Sequence, residues 1–202
     1  KSVGYRRAKN GSDFISLNDI SLEETWQALI ECQKLGLTRH IGVSNFSIKK
    51  IKEITQKTGV KPHTNQIECH PLLSQALMLD FCQEENIHIT AYAPLGSNDR
   101  PQALKADNEP NLLNNPTIMQ IAKENETESA QILLAWGLHR GTTVIPKSSQ
   151  QQHIITNLKA MDIKLTEEQI NIINTLNKNF RFIDGRFYEK SGSPYSMASI
   201  WE

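Results

Sequence analysis

Short apolar runs alternate with amphipathic segments of helical period along most of this chain, and that alternation restricts it to one class of fold. Residues 22–35 place Leu22, Trp26, Leu29 and Ile30 on one helical face, with Ser21 positioned as a cap and Gly36 just past the end. The spacing predicts a helix there, a strand over 39–44, a helix over 47–58 that Gly59 stops, a strand over 64–69, a helix over 74–86, and a strand over 88–93 that Pro94 halts. After a polar stretch, 96–115, helices are predicted over 116–125 and 128–139, a strand over 142–145 and a helix near 150–160. Strands separated by helices pair in parallel through right-handed crossovers. The runs HIGVS and TTVIP are apolar enough to be buried on both faces, as parallel strands in an α/β fold are. A further helix, 166–176, falls outside the alternation. The tail, 177–202, is rich in Gly, Pro, Ser and aromatics (Phe180, Phe182, Phe187, Tyr188, Tyr195 and Trp201) and reads as a loop with something apolar to cover.

Composition sets the outer limits. A chain of 202 residues can bury one sizeable core. Its 22 basic residues equal its 22 acidic ones, so no net field steers it to nucleic acid or to an anionic membrane, and any anion must be bound locally. Cys32, Cys69 and Cys82 are odd in number and lack CxxC spacing, which suggests neither a disulfide framework nor a zinc site and fits a reducing cytoplasm. No apolar run approaches the roughly 20 residues that span a bilayer, and the polar start has no signal-peptide core. A soluble, cytoplasmic, single-domain protein without a metal is the expectation.

In α/β folds of this kind, chemistry gathers where parallel strands end. Ser44 and Asn45 close the first predicted strand, Gln66 lies in the second, Tyr92 ends the third, and Lys147 with Ser148 follows the fourth. Taken singly, each has a plainer reading. Ser and Asn bond their own backbone in turns, a Tyr before Pro packs, a Lys after a strand is solvated, and His70 is structural. Taken together they offer amide-recognising donors and acceptors, a flat aromatic platform, and a cation beside hydroxyls at a helix start. Those suit a carboxamide-bearing ring, a surface for it to stack on, and a phosphate.

Four stretches carry a resemblance to the aldo-keto reductase family, in the family's order: GVSNFS (42–47), NQIECHP (65–71), ITAYAPLGSND (89–99) and IPKSSQQQHIITN (145–157). The resemblance implies a (β/α)8 TIM barrel, of which this chain holds about strands 5–8. On that reading 1–20 is the loop after strand 4, 21–160 the βα units, 161–179 the extra helix, and 180–202 the C-terminal loop that shapes the substrate pocket and carries Trp201. It implies NADP(H) as cofactor and a small-molecule carbonyl as substrate. By motif, Ser44, Asn45 and Gln66 match residues that hold the nicotinamide carboxamide, and Tyr92 matches the residue stacked under the ring. Leu95 and Ser97 match contacts to the pyrophosphate, and Asp99 matches a belt residue that folds over the cofactor and pairs with basic side chains. Lys147 and Ser148 match the grip on the adenosine 2′-phosphate, and Asn157 a contact near the adenine.

The chain also departs from the family pattern. His153 stands where an Arg usually stacks on adenine and meets the 2′-phosphate, and imidazole is largely neutral at pH 7, so selection for phosphate weakens and NAD(H) enters as a second cofactor. Thr156 replaces a Glu that often accepts from the adenine amino group. The family's catalytic Tyr, Asp, Lys and His come from the first four strands, whereas the resemblance here starts after strand 4 at a chain that begins with Lys1, so the expectation is a cofactor-holding half with no catalytic residue of its own. Tyr5 falls in the loop without the matching Lys and Asp. Three function classes therefore stand open: an NADP-dependent reductase of aldehydes and ketones represented by its C-terminal part, a non-catalytic binding or structural protein of the same fold, and a truncated, defunct product.

Overall fold

The computed structural model describes Ala8 and residues 10–202. Tyr5 lies outside the described residues. In chain order the elements are α1 (Leu22–Lys34), β1 (Gly42–Ser44), α2 (Ile48–Thr58), β2 (Thr64–Glu68), α3 (Ala76–Glu84), β3 (His88–Tyr92), α4 (Pro116–Glu124), α5 (Ser129–His139), β4 (Thr143–Val144), α6 (Gln151–Leu158), α7 (Glu167–Asn174) and α8 (Met197–Trp201), with short 3-10 turns between some of them. The chain forms two compact units, one from the described residues up to His63 together with Asp184–Glu202, the other Thr64–Ile183. None of the described helices is long and apolar enough to cross a membrane.

In the first unit, local chemistry sets the helix ends. Ser21 accepts a hydrogen bond from Glu24 N at 3.0 Å and starts α1, and Ser47 accepts from Lys50 N at 3.2 Å and starts α2. Gly59 closes α2 at φ 73°, a left-handed conformation that glycine adopts without a steric penalty. Trp26 and Ile30 of α1 pack with Ile41 and Ile54 to make the core, and Trp26 Nε1 donates to Val60 O at 2.9 Å. Leu29, expected on the buried face, is 36% exposed; Trp26 and Ile30, four residues apart, are the buried residues of α1, with Leu22 packed against them. The tail is more than a loop. It ends in α8, whose last carbonyls, those of Ser199 and Ile200, accept from Lys50 Nζ at 3.1 and 2.8 Å. Burial lowers the pKa of that ammonium, an effect partly opposed by the Glu202 and Glu53 carboxylates.

In the second unit β2, β3 and β4 run parallel, side by side in that order. The register places Thr64 opposite His88 and Glu68 opposite Tyr92, then Ala91 opposite Val144. Helix α5 is the inner one, with Gln131–Gly137 buried without interruption. Gly137 lets it approach β4, since a Cβ there would lie 2.7 Å from Val144 Cγ1. Trp136 Nε1 donates to Asn174 Oδ1 at 2.9 Å and ties α5 to α7.

Two expectations from the sequence need correction. The runs HIGVS and TTVIP are not buried on both faces: β1 is half-buried and ends on the exposed Ser44, and β4 has Thr143 exposed and Ile145 44% exposed. Strand β4 pairs with β3 and packs on α5, where Val144 meets Gly137, and these contacts leave Thr143 and Ile145 exposed. Helix α3 starts two residues later than predicted, because Gln75 adopts φ 54° and its side-chain amide donates to Glu68 O at 3.0 Å.

Candidate functional site

Three loops leave the carboxyl ends of β2, β3 and β4, and a cleft of about 420 Å3 in the second unit lies along the last two. Tyr92 closes β3, and the backbone turns sharply after it: Ala93 is held at φ 48°, left-handed for a residue with a Cβ and costing roughly 1 kcal/mol. Pro94 follows and cannot continue a strand. Gly96, at φ 74°, completes the turn, and the Phe182 ring packs closely on it, so a Cβ there would lie 3.2 Å from Phe182 Cζ.

The cleft brings together Tyr92, Leu95, Ser97, Asp99, Lys147, Ser148 and His153. An adjoining hollow of about 250 Å3 shares Leu95, Lys147, Ser148 and His153 and adds Thr156, Asn157 and Glu128. Seven of the predicted residues thus line one cleft and an eighth, Asn157, the hollow beside it. Gln66 is half-buried in β2, opposite Thr90, and is not part of the cleft lining. Ser44 (exposed), Asn45 (φ 58°) and Trp201 (on α8, its Nε1 donating to Asp184 O at 2.7 Å) belong to the first unit.

Lys147 Nζ and Asp99 Oδ2 form an ion pair at 3.2 Å with side chains 75% and 64% exposed. A pair so open to water is worth at most about 1 kcal/mol and opens readily to admit an anion. Ser148 is held by the chain itself, its hydroxyl accepting from Gln150 N at 3.1 Å and donating to Gln150 O at 3.2 Å. It leads into α6, whose first turn no side chain caps, so the N–H groups at that helix start, three residues on from the lysine, keep their hydrogen-bonding capacity. The arrangement suits an elongated ligand: an anionic group at Lys147 and the start of α6, and a flat ring against Tyr92.

Sequence reasoning missed two elements. Glu128 sits in the hollow as an exposed carboxylate, and its place at the head of α5 reads locally only as a helix start. Glu68, read as part of a strand motif, is fully buried and accepts from Phe182 N at 2.6 Å, Ile183 N at 3.0 Å and His70 Nε2 at 2.9 Å. A charge inside an apolar strand was the available signal, since such a group is retained only where partners await it. His70 is structural, as read from the sequence, buried between that carboxylate and the Phe182 ring 4.8 Å away. Among the described residues no group of three or more His, Cys, Asp or Glu is placed to hold a metal ion.

Comparison with known proteins gives a single answer. The aldo/keto reductase family model matches residues 10–178. An aldo/keto reductase of Synechocystis sp. is 43% identical over 200 residues, covering 99% of this chain and 61% of the relative. Aldo-keto reductase family 1 member D1 of Mus musculus is 39% identical over 182 residues, 89% of this chain and 55% of the relative. Prostaglandin F synthase 1 of Bos taurus is 37% identical over 188 residues, 92% and 57% respectively. The chain spans 55–61% of the length of these relatives.

Proposed function

Because the chain belongs to the aldo/keto reductase family, we propose that it is the cofactor-holding portion of an NADP(H)-dependent oxidoreductase that reduces aldehydes or ketones to alcohols. The observation that carries the reading is the convergence of Tyr92, Leu95, Ser97, Asp99, Lys147, Ser148 and His153 on one cleft. When bound, the nicotinamide supplies a hydride. This chain's own residues bind and orient the dinucleotide: Tyr92 offers the stacking face, Leu95 and Ser97 the pyrophosphate wall, and Asp99 the belt over it. Lys147, Ser148 and the open first turn of α6 take the 2′-phosphate. Asn157 takes the adenine, while Ser44, Asn45 and Gln66 take the carboxamide on the family pattern. In this reading the fold is strands 5–8 of a (β/α)8 barrel forming one domain, the protein works in the cytoplasm, and residues 180–202 with Trp201 line the substrate pocket. On the family pattern the Tyr, Asp, Lys and His that protonate and polarise the carbonyl belong to the first four strands of the barrel, outside the four stretches matched here.

Two features favour NAD(H) as an additional cofactor. His153 replaces a permanent cation, and Glu128 places a carboxylate in the hollow assigned to the adenosine. A carboxylate repels a 2′-phosphate and accepts hydrogen bonds from a ribose diol. Titration of the chain with NADPH, followed by cofactor fluorescence, tests the binding role. No change up to millimolar protein would sink it, and the intact mass from the natural source tests the half-barrel assignment.

A further inference from the structure

Phe182 is gripped through its backbone from two directions. Its N–H donates to Glu68 Oε1 at 2.6 Å, and the next one, of Ile183, to Glu68 Oε2 at 3.0 Å. Its carbonyl accepts from Arg100 Nη1 at 2.8 Å. Arg100 in turn donates through Nη2 to both oxygens of Glu109 at 2.6 Å, with the two side chains only 10% and 8% exposed. Glu109 Oε2 also accepts from Ala106 N at 3.2 Å, so the loop after β3 is closed on itself around the guanidinium. The Phe182 ring stands edge-on to His70 and to Phe180, and the Arg100 guanidinium lies 5.6 Å from its centroid.

These contacts reach the cleft on both sides. Arg100 directly follows Asp99, and the Phe182 ring abuts Gly96, so the loop carrying Leu95, Ser97 and Asp99 rests on this residue. Ile183 lines the same cleft. Buried ions tolerate the loss of a partner poorly, because the group left behind is neither solvated nor paired. The two segments therefore move together or not at all: release of Phe182 from Glu68 leaves Arg100 holding a loose strap, and release of Arg100 from Glu109 leaves the loop without its central tie.

We propose that Glu68 and Arg100 are positioning residues for the cofactor cleft, clasping the Phe182 peptide so that the 95–109 loop and the 180–183 segment order as one body. The ligand's identity rests on the function proposed above; the clasp itself does not. It also provides a route by which a dinucleotide under the loop would order the start of the tail.

Amide hydrogen exchange by mass spectrometry on the full chain, with and without NADPH, tests this. In Glu68→Gln, exchange across 97–109 should rise roughly fivefold or more without cofactor, although the Glu68 carboxylate is bonded to Phe182, Ile183 and His70, all outside that loop. NADPH should bind several-fold more weakly through faster release. Unchanged loop exchange in a variant that melts cooperatively overturns the proposal. Should Glu68→Gln fail to fold, Glu109→Gln is read in its place, and it should speed exchange at Phe182 and Ile183; unchanged rates there overturn the proposal equally. If NADPH protects no segment of the unaltered protein, the cofactor reading fails, and the clasp is decided by the cofactor-free rates alone.

Discussion

Replacing Lys147 by Met removes one positive charge and keeps most of the aliphatic stem. The size of the effect follows from its surroundings. In the free protein the ammonium has Asp99 at 3.2 Å, but both side chains are largely solvated, so giving up that pair costs no more than about 1 kcal/mol. A hydrogen bond to a charged group contributes about 1.5–3 kcal/mol net, leaving about 0.5–2 kcal/mol for capture of the 2′-phosphate. At 1.4 kcal/mol per decade this is a loss of roughly 2- to 30-fold in NADPH affinity. NADH carries no charge at that position and should change by less than about twofold on the same reasoning. Cofactor-fluorescence titrations of the unaltered protein and the variant with both cofactors, at low and high salt, measure this. The gap between NADPH and NADH should narrow as salt rises, because the lysine is exposed. Equal weakening of the two cofactors, or a gap indifferent to salt, would refute the assignment of Lys147 to the phosphate.

His153→Arg should tighten NADPH more than NADH, since it adds a permanent charge at the mouth of the same cleft; equal changes on both would show that position 153 does not meet the phosphate. Glu128→Gln should shift preference in the same direction by removing a carboxylate from the hollow, and the ratio of the two dissociation constants reads it directly. Gly137→Ala should destabilise the protein by about 1–3 kcal/mol, because its Cβ would meet Val144 Cγ1 at 2.7 Å. Adding Val144→Ala should recover part of that loss in a double-mutant cycle by urea unfolding, and strictly additive effects would contradict the close approach. Burial raises the Cys82 thiol to about 11, against an ordinary value of 9.0. The folded state thus holds that proton while the unfolded chain gives it up, so Cys82 costs stability as pH climbs from about 9 to about 11, by roughly 2–3 kcal/mol. Cys82→Ala should flatten that alkaline decline, and an identical pH profile for the two proteins would show the thiol to be uninvolved.

The sequence by itself determined whatever depends on near neighbours. Alternating short apolar runs and helical periods pointed to a parallel α/β arrangement, and Ser21 marked a helix start that it caps by accepting from Glu24 N; Ser47, Asn115 and Thr166 cap their helices in the same local way. That Tyr92 ends a parallel strand and that Lys147 and Ser148 follow one was legible because position along the chain relative to a strand is itself a local property. Tertiary structure alone decided the rest. The 3-10 turn at Gln102–Leu104 and the Arg100–Glu109 tie give form to a stretch that reads only as polar loop. The buried Glu68 finds its partners 114 and 115 residues away, in a tail whose aromatics announce an apolar contact without naming it. Likewise β4 looked like a strand buried on both faces, and its exposed Ile145 reflects which neighbours it has, not what it is made of. Periodicity and capping arise from bonds between residues a turn apart, so they are written in adjacent letters. A buried charge and its partners, or the depth of a strand, depend on segments that only folding brings together.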